Sequence, residues 1–153
     1  MSDNNEINKV KNKFTEFLKS KRLRKTPERF EILYCSLECN GHFDADLLYN
    51  LLDKRGYHVS KATIYNTLDL LSEAGIVRKL IFDTHQARYE VADKTHSHLI
   101  CTQCGKITEL DVEFPDADSR NLKLQGFSPS YVSICIYGIC KDCLHDTNQS
   151  QKR

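Results

Sequence analysis

Cys101-Thr-Gln-Cys104 and Cys140-Lys-Asp-Cys143 are the two stretches that decide how the second half of this chain folds. Two residues between paired cysteines allow a tight turn to direct both sulfurs at one ion, and four thiolates make a closed, structural zinc site. Gly105 follows the first pair, where such a turn needs a positive φ. Two unrelated pairs of buried thiols are the alternative, but the repeated spacing favours metal. The sequence therefore predicts a small domain stabilised by a four-cysteine zinc site.

Length and composition limit the class of protein. A chain of 153 residues, of which 40% are hydrophobic, makes one or two small domains. It contains no apolar run of about 18 residues that could span a membrane, and its polar first residues do not resemble a signal peptide. Seven cysteines without a secretory signal indicate a reducing compartment, where thiols bind metal rather than form disulfides. We therefore expect a cytoplasmic protein.

Helices are expected throughout the first half of the chain. Residues 6–20 carry apolar side chains at helical spacing. Thr26 followed by Pro27 predicts the start of a second helix, since proline at the first helical position loses no hydrogen bond. Asp44 and Ser60 are candidate caps of a third and a fourth helix. The short turn between the last two helices indicates a helix-turn-helix.

A β-hairpin is expected directly after these helices. Apolar and polar residues alternate in residues 76–82 and again in residues 87–91. Helices followed by such a hairpin form a winged helix, whose fourth helix would enter the major groove of DNA. The exposed face of that helix offers Lys61, Thr63, Tyr65 and Asn66. An asparagine amide can pair with adenine and a tyrosine ring can contact a thymine methyl, but both residues are also common on ordinary surfaces.

Basic side chains are concentrated near the N-terminus. Nine lysines and arginines lie between Lys9 and Arg29, against only two glutamates. Such a local excess is typical of a surface that contacts phosphates, and a solvated helix face is the alternative. Arg24 and Arg29 belong to this basic patch.

The second half predicts a smaller α/β domain. Residues 106–110 and 131–137 indicate strands, residues 113–125 indicate a helix, and alternation places Ile136 on the buried face of the last strand. Such a small sheet leaves an edge and an apolar surface uncovered, which a second copy of the chain would cover. The expected fold class is therefore α+β, with a winged helix-turn-helix domain followed by a small α/β dimerisation domain that holds the zinc. The expected boundaries are 1–91 for the DNA-binding domain, 92–95 for a hinge, and 96–153 for the dimerisation and metal-binding domain with its polar tail.

A second group of metal-binding residue types lies near this boundary. His96 and His98 point to the same side of an extended segment, because side chains alternate with period two. Glu90 precedes them, Glu109 follows them, and His42 stands before the third helix. Three imidazoles and two carboxylates suit Fe2+, Mn2+, Co2+ or Zn2+ and are harder ligands than thiolates. Ordinary polar surface is the alternative for such histidines.

These motifs, taken in order along residues 10–145, resemble the ferric uptake regulator (Fur) family of bacterial metal-responsive repressors. The stretches that carry the resemblance are Arg24-Lys-Thr-Pro-Glu-Arg29, Gly41 to Tyr49, Ser60 to Leu68, Glu73 to Val77, His96 to Cys101, Cys104-Gly-Lys106 and Tyr137 to Cys143. The family fold is a winged helix followed by an α/β dimerisation domain, which agrees with the pattern above. The resemblance implies a homodimer that is not an enzyme. It also implies that the metal-loaded form binds an AT-rich palindromic operator in double-stranded DNA and represses metal-uptake genes.

The resemblance also implies roles for individual residues. The matches to the structural zinc ligands are Cys101, Cys104, Cys140 and Cys143. The matches to a regulatory site for Fe2+, or for Zn2+ or Mn2+ in its place, are His42, Glu90, His96, His98 and Glu109. Tyr65 and Asn66 match base-reading positions, and Arg24 matches a basic residue that reaches the minor groove.

Two departures from the family pattern bear on the signal that is sensed. Many iron-sensing members have arginine where this chain has Asn66, and asparagine is similar to the peroxide-sensing branch. That branch, however, usually has aspartate where this chain has Glu90 and Glu109. The combination favours an iron sensor, with peroxide, zinc or manganese sensing as alternatives.

Two classes of enzyme are the alternatives outside this family. A thiol–disulfide enzyme would place a Cys-x-x-Cys at the start of a helix, where the pKa of one thiol is lowered. A hydrolytic metalloenzyme would need an open coordination position beside a general base. Neither setting is visible in the sequence, and neither explains the basic helical half.

Overall fold

Helices form most of the first part of the chain and strands most of the second in a computed structural model of the protein. The structure describes residues 4–80, 87–92, 97–110, 126–127 and 132–144. The chain divides into two units, residues 1–93 and 94–153. Because residues 93–96 lie outside the described ranges, the hinge at 92–95 and the two domain boundaries beside it stay predictions.

Within the described residues, the first unit consists of helices followed by a two-stranded hairpin. The helices are α1 (Asn4–Ser20), α2 (Pro27–Glu38), α3 (Ala45–Lys54) and α4 (Lys61–Glu73). The strands are β1 (Val77–Leu80) and β2 (Arg88–Val91), which pair antiparallel. This is the winged-helix arrangement that the sequence predicts. None of the helices in the described ranges is long and apolar enough to cross a membrane.

Local capping chemistry fixes where α3 and α4 begin. Asp44 Oδ1 accepts a hydrogen bond of 2.8 Å from the backbone N–H of Leu47, and Ser60 Oγ accepts one of 3.1 Å from that of Thr63. Both caps satisfy a backbone donor that a helix start leaves without a partner. Thr26 precedes α2 in an extended conformation, but its side chain makes no capping hydrogen bond within the described residues. The proline that follows it, rather than the threonine hydroxyl, therefore marks the start of α2.

An apolar core joins the four helices to the hairpin. Phe14 and Leu18 of α1 are fully buried, as is Tyr89 of β2. The cluster also contains Ile32, Leu33, Phe43, Leu48, Leu52, Ile64, Leu68 and Leu71. Each fully buried side chain of this size contributes about 1.5–3 kcal/mol relative to exposure. The core holds the inner face of α4 and thereby fixes which of its faces remains outside.

A short β-bridge connects the segment before α3 to the hairpin. The Phe43 N–H donates to the Tyr89 carbonyl at 2.9 Å, and the Tyr89 N–H donates to the Phe43 carbonyl at 2.8 Å. Their rings stack with centroids 6.1 Å apart. Because the bridge aligns the two segments, it brings His42 and Glu90, the neighbours of the bridged residues, close together.

A three-stranded sheet forms the described part of the second unit. Its strands are β3 (Ser97–Cys101), β4 (Ile107–Leu110) and β5 (Ile134–Gly138), in the order β4-β3-β5. The β3–β4 pairing is antiparallel and the β3–β5 pairing is parallel. The helix predicted at 113–125 lies outside the described residues. The prediction that Ile136 faces inward is wrong for the single chain, because this side chain is 42% exposed on a strand at the end of the described sheet.

Candidate metal centres and nucleic-acid interface

Parallel pairing of β3 with β5 brings the two Cys-x-x-Cys pairs together. Cys101 ends β3, and Cys140 is the second residue after the end of β5. The sulfurs of Cys101, Cys104, Cys140 and Cys143 all lie within 4.8 Å of one another. The Sγ–Sγ distance is 3.9 Å between Cys101 and Cys143 and 3.7 Å between Cys104 and Cys140. Four sulfurs at 2.3 Å from one tetrahedral zinc ion would be about 3.8 Å apart, so the cluster has the dimensions of a zinc site.

Backbone groups hold this four-cysteine cluster in shape. Gly105 adopts φ +72°, the positive value that the turn after the first pair requires. The Cys140 N–H donates to Cys101 Sγ at 3.3 Å, and this bond is the largest cause that lowers the pKa of the Cys101 thiol to about 6. The pKa of Cys143 is raised instead, chiefly by its hydrogen bond with Cys140 and by burial. Neighbouring thiols thus oppose one another's ionisation, and a bound dication would remove that opposition.

A surface ion pair links the two turns that carry the cysteines. Lys106 Nζ lies 3.1 Å from Asp142 Oδ2. Lys106 follows the first pair by two residues, and Asp142 lies inside the second. Exposed pairs of this kind contribute little stability. The interaction that holds the two turns together must therefore come mainly from the sulfur ligands.

The second predicted group of ligands divides between the two units. In the first unit, Glu90 is buried on β2 and its Oε2 lies 3.5 Å from His42 Nε2. In the second unit, His98 on β3 is buried and stands directly opposite Glu109 on β4. Residues opposite each other on adjacent antiparallel strands have Cβ atoms about 4.5–5.5 Å apart. Each unit therefore presents one imidazole with one carboxylate, and His96 lies outside the described residues.

Arg78 is a residue of this region that the sequence analysis missed. It is the register partner of Glu90 across the hairpin, and its Nη1 lies 3.4 Å from Glu90 Oε1. The signal was present in the hairpin pattern, because an arginine on one strand must face a residue of the other. The sequence pattern alone does not fix the register that selects Glu90.

The outer face of α4 carries the residues predicted to read bases. Ile64, Leu68 and Leu71 are buried on the inner face. Tyr65 is 44% exposed and Asn66 is exposed, as an interface with DNA requires. Both side chains therefore lie on the exposed face of α4, and their contact with DNA stays a prediction.

Two other residues predicted to contact DNA already have partners at the start of α4. Thr63 Oγ1 lies 2.9 Å from Ser60 Oγ within the helix cap. Lys61 Nζ lies 2.7 Å from Asp46 Oδ1, and this hydrogen bond is the first cause that raises the pKa of Lys61. The Lys61 ammonium is therefore paired with a carboxylate at the surface, where solvent weakens the attraction.

The basic patch is likewise only partly available to phosphates. Lys13 Nζ donates to the Gly75 carbonyl at 2.9 Å, and Lys21 Nζ lies 2.9 Å from Glu73 Oε2. These contacts attach α1 to the C-terminal end of α4, where cations are favoured by the helix dipole. Arg29, predicted to contact DNA, donates from Nη1 to the Arg24 carbonyl. It supports the loop before α2, from which the exposed Arg24 projects.

A winged helix with an exposed fourth helix, followed by a small sheet unit with a four-cysteine cluster, defines a class of metal-binding transcription regulators. The family model described as the ferric uptake regulator family matches residues 20–137. The chain belongs to the ferric uptake regulator family, and the protein is a metal-responsive regulator of transcription. The members of this family are DNA-binding dimers and not enzymes.

Individual relatives agree with this assignment. The chain is 33% identical over 136 residues to the peroxide operon regulator of Bacillus subtilis strain 168, which covers 87% of this chain and 92% of the relative. It is 28% identical to the solved ferric uptake regulator of Francisella tularensis with iron, with a TM-score of 0.62 and coverage of 80% and 95% of the two chains. The solved Helicobacter pylori ferric uptake regulator Fur has a TM-score of 0.72 at 20% identity, covers 90% and 93%, and supports the fold alone.

Proposed function

We propose that the protein is an iron-dependent transcriptional repressor in which two metal centres have separate tasks. The observation that carries this proposal is the pairing of an imidazole with a carboxylate in each unit, His42 with Glu90 and His98 opposite Glu109. Neither pair alone offers enough donors for a divalent ion, whereas the two pairs with His96 offer five. Nitrogen and oxygen ligands of this kind suit Fe2+ and also accept Mn2+ or Zn2+.

The four-cysteine cluster is proposed to hold the structural zinc. Its thiolates are soft ligands, its sulfur spacing matches a tetrahedron, and it leaves no position for a substrate. Zinc there would stabilise the small sheet unit, and the same unit is proposed to pair with a second copy of the chain. A dimer places two α4 helices on one DNA duplex, which suits a palindromic operator.

The regulatory site is proposed to couple metal to DNA affinity through the two units. A divalent ion supplies a single positive centre that ligands from both units share. His42 and Glu90 are connected to the start of α3 by the Phe43–Tyr89 bridge, so the helix-turn-helix follows any change in their position. Differential affinity for one arrangement of the units is what allows a ligand to favour it. Couplings of about 1–3 kcal/mol would change DNA affinity about 5–150-fold.

On the DNA, Tyr65 and Asn66 are proposed to read base edges in the major groove of an AT-rich palindrome. Arg24 is proposed to contact the backbone and the adjacent minor groove, where narrow AT-rich segments attract arginine. The expected targets are metal-uptake genes. The protein is expected to act in the cytoplasm of a bacterial cell.

An anaerobic DNA-binding titration with the zinc-loaded dimer tests this proposal. Fe2+ is expected to raise affinity for a palindromic operator in the wild-type protein and to lose this effect in Glu90→Gln. Glu38→Gln is the matched control, because Glu38 pairs with Arg55 on the surface of the same unit. Stimulation by Fe2+ that is equal in all three proteins would refute the regulatory site.

Peroxide sensing is the second candidate, favoured by the 33% identity with the peroxide operon regulator of Bacillus subtilis and by Asn66. The discriminating experiment adds hydrogen peroxide to the iron-loaded complex with DNA. A peroxide sensor releases the DNA at low peroxide concentrations, whereas a sensor of iron alone keeps it bound. The zinc-loaded regulatory site is the control, because Zn2+ has no redox chemistry.

A further inference from the structure

The Glu90 carboxylate lies between two groups that each approach a different oxygen. Arg78 Nη1 is 3.4 Å from Oε1, and His42 Nε2 is 3.5 Å from Oε2. The Arg78 side chain is 14% exposed and that of Glu90 is 4% exposed. Arg78 and Glu90 are also register partners on β1 and β2, so backbone pairing keeps them together.

A buried carboxylate needs a partner of opposite charge. Removing a carboxylate from water is costly unless a cation or several hydrogen bonds compensate. The Arg78 guanidinium supplies a positive charge at this position. In the metal-free protein it partly neutralises Glu90.

The same cation disfavours a metal ion on the same carboxylate. Two positive charges within a few ångströms of each other repel, and the repulsion is stronger in a partly buried site than in water. A metal ion on Glu90 would therefore share the carboxylate with a cation that weakens its binding.

We propose that Arg78 sets the metal threshold of the regulatory site by acting as a built-in competitor for Glu90. The inference rests on the proposed role of Glu90 as a ligand of that site. Arg78 keeps the ligand compensated when metal is absent, and it lowers the affinity for metal below what the ligands alone would give. The site then binds a divalent ion when the concentration of that ion is high and stays empty when it is low.

The opposite role is that of a support, in which Arg78 orients Glu90 for the metal and raises its affinity. Supporting groups of this kind make short, well-directed hydrogen bonds, and charge-assisted ones are about 2.7–2.9 Å long. The 3.4 Å between Arg78 Nη1 and Glu90 Oε1 is longer than that. The contact is therefore mainly an attraction between charges, which favours competition over orientation.

Three variants of the zinc-loaded protein separate these roles. Arg78→Met removes the cation, and Arg78→Lys keeps a cation with different geometry. Lys79→Met is the matched control, because the neighbouring Lys79 carries the same charge but is 46% exposed and lies 3.9 Å from Asp69 instead of Glu90. Mn2+ is the probe, since it prefers oxygen and nitrogen ligands to thiolates, and the electron paramagnetic resonance signal of free Mn2+ reports its binding without DNA.

We expect Arg78→Met to bind Mn2+ at least about tenfold more tightly than the wild type, because the variant lacks the repulsion between the guanidinium and the metal ion, and tenfold corresponds to about 1.4 kcal/mol. Its metal-free form should melt at a lower temperature, and added Mn2+ should raise its melting temperature more than that of the wild type. Lys79→Met should behave as the wild type, and Arg78→Lys should stay close to it.

Unchanged or weaker Mn2+ binding by an Arg78→Met protein that still unfolds cooperatively would overturn the inference. If Arg78→Met does not fold, Arg78→Gln takes its place with the same expected direction. The wild type and His42→Ala test the underlying site. Mn2+ binding that survives unchanged in His42→Ala would refute the proposed regulatory site itself, and the inference with it.

Discussion

The four-cysteine cluster and the imidazole–carboxylate pairs differ in how completely one part of the chain builds them. The cluster lies within one unit, its four sulfurs are already at zinc spacing, and two short turns supply every ligand. The second group is divided, with His42 and Glu90 in one unit and His98 and Glu109 in the other. A complete site suits a permanent structural ion, and a divided one suits an ion whose arrival changes the protein. We therefore expect the thiolate cluster to serve stability and the nitrogen and oxygen ligands to serve the response to metal.

Loss of the zinc site is the largest effect that this contrast predicts. Cys140→Ser removes one thiolate and should release the zinc, unfold the second unit and abolish dimerisation. Structural zinc contributes about 10–16 kcal/mol of apparent binding free energy, as much as the whole stability of a small domain. Zinc content by mass spectrometry and melting by circular dichroism measure the loss.

Cys135→Ser is the control for this experiment, because Cys135 lies on β5 outside the cluster. A Cys140→Ser protein that lacks zinc yet remains dimeric and melts normally would show that the cluster is not structural, and the contrast between the two centres would fail.

Loss of a ligand at the divided site should leave the protein folded. His98→Ala is expected to keep its zinc and its dimeric state but to lose most of the metal-stimulated gain in DNA affinity, which couplings of this type set at about 5–150-fold. Fluorescence anisotropy with labelled operator DNA, with and without Fe2+, measures the ratio. His58→Ala is the control, since His58 pairs with Asp53 on the surface at 2.9 Å; an equal loss of the ratio in both variants would contradict the assignment.

A related contrast applies to α4, between side chains that already have a partner in the protein and side chains that are open to DNA. Tyr65→Ala or Asn66→Ala should cost about 1–3 kcal/mol at the contacted base pair and relax preference there. Arg24→Ala should weaken binding to matched and single-mismatch operators alike and reduce the salt dependence by about one phosphate contact. It should also reduce the preference for AT-rich minor grooves. Titrations with matched and single-mismatch operators at several salt concentrations separate the two patterns. Uniform losses for the Tyr65 and Asn66 variants would mean that α4 does not read bases.

The smallest effects are expected where a charge already has a partner. Lys61→Ala should change DNA affinity by less than about 1 kcal/mol, because Asp46 already pairs with this ammonium. Asp46→Asn should instead release the ammonium and increase the salt dependence by about one contact. The measurement is the slope of affinity against salt for both variants, and a steep loss for Lys61→Ala would show that the pair opens on DNA.

The features that sequence predicts well here are those built from neighbours in the chain. Asp44 and Ser60 cap their helices because a cap needs only the next three residues. The cysteine turns form for a similar reason, since their spacing alone directs the sulfurs. The winged-helix and sheet arrangement follows from the change of hydrophobic period.

The features that sequence predicts poorly depend on distant partners. In the sequence, Lys13 and Lys21 belong to the basic patch predicted to contact phosphates. In the structure, both contact the C-terminal end of α4 instead, through the Gly75 carbonyl and the Glu73 carboxylate. The alternation of apolar residues predicts that Ile136 is buried, yet this side chain is exposed in the single chain. The sequence indicates that an apolar face needs to be covered but does not indicate which part of which chain covers it. The contact of Arg78 with Glu90 depends on the hairpin register, which places the two residues opposite each other.

The bridge between Phe43 and Tyr89 turns two amide protons into reporters of the regulator's internal motion. Each amide donates to the other residue's carbonyl, at 2.9 and 2.8 Å, so neither exchanges with solvent until the segment before α3 separates from the hairpin. Their exchange rates measure the free energy of that single opening. Followed by nuclear magnetic resonance as metal is added, the two exchange rates would show whether an ion bound near His42 and Glu90 stabilises the bridge. The measurement needs no DNA.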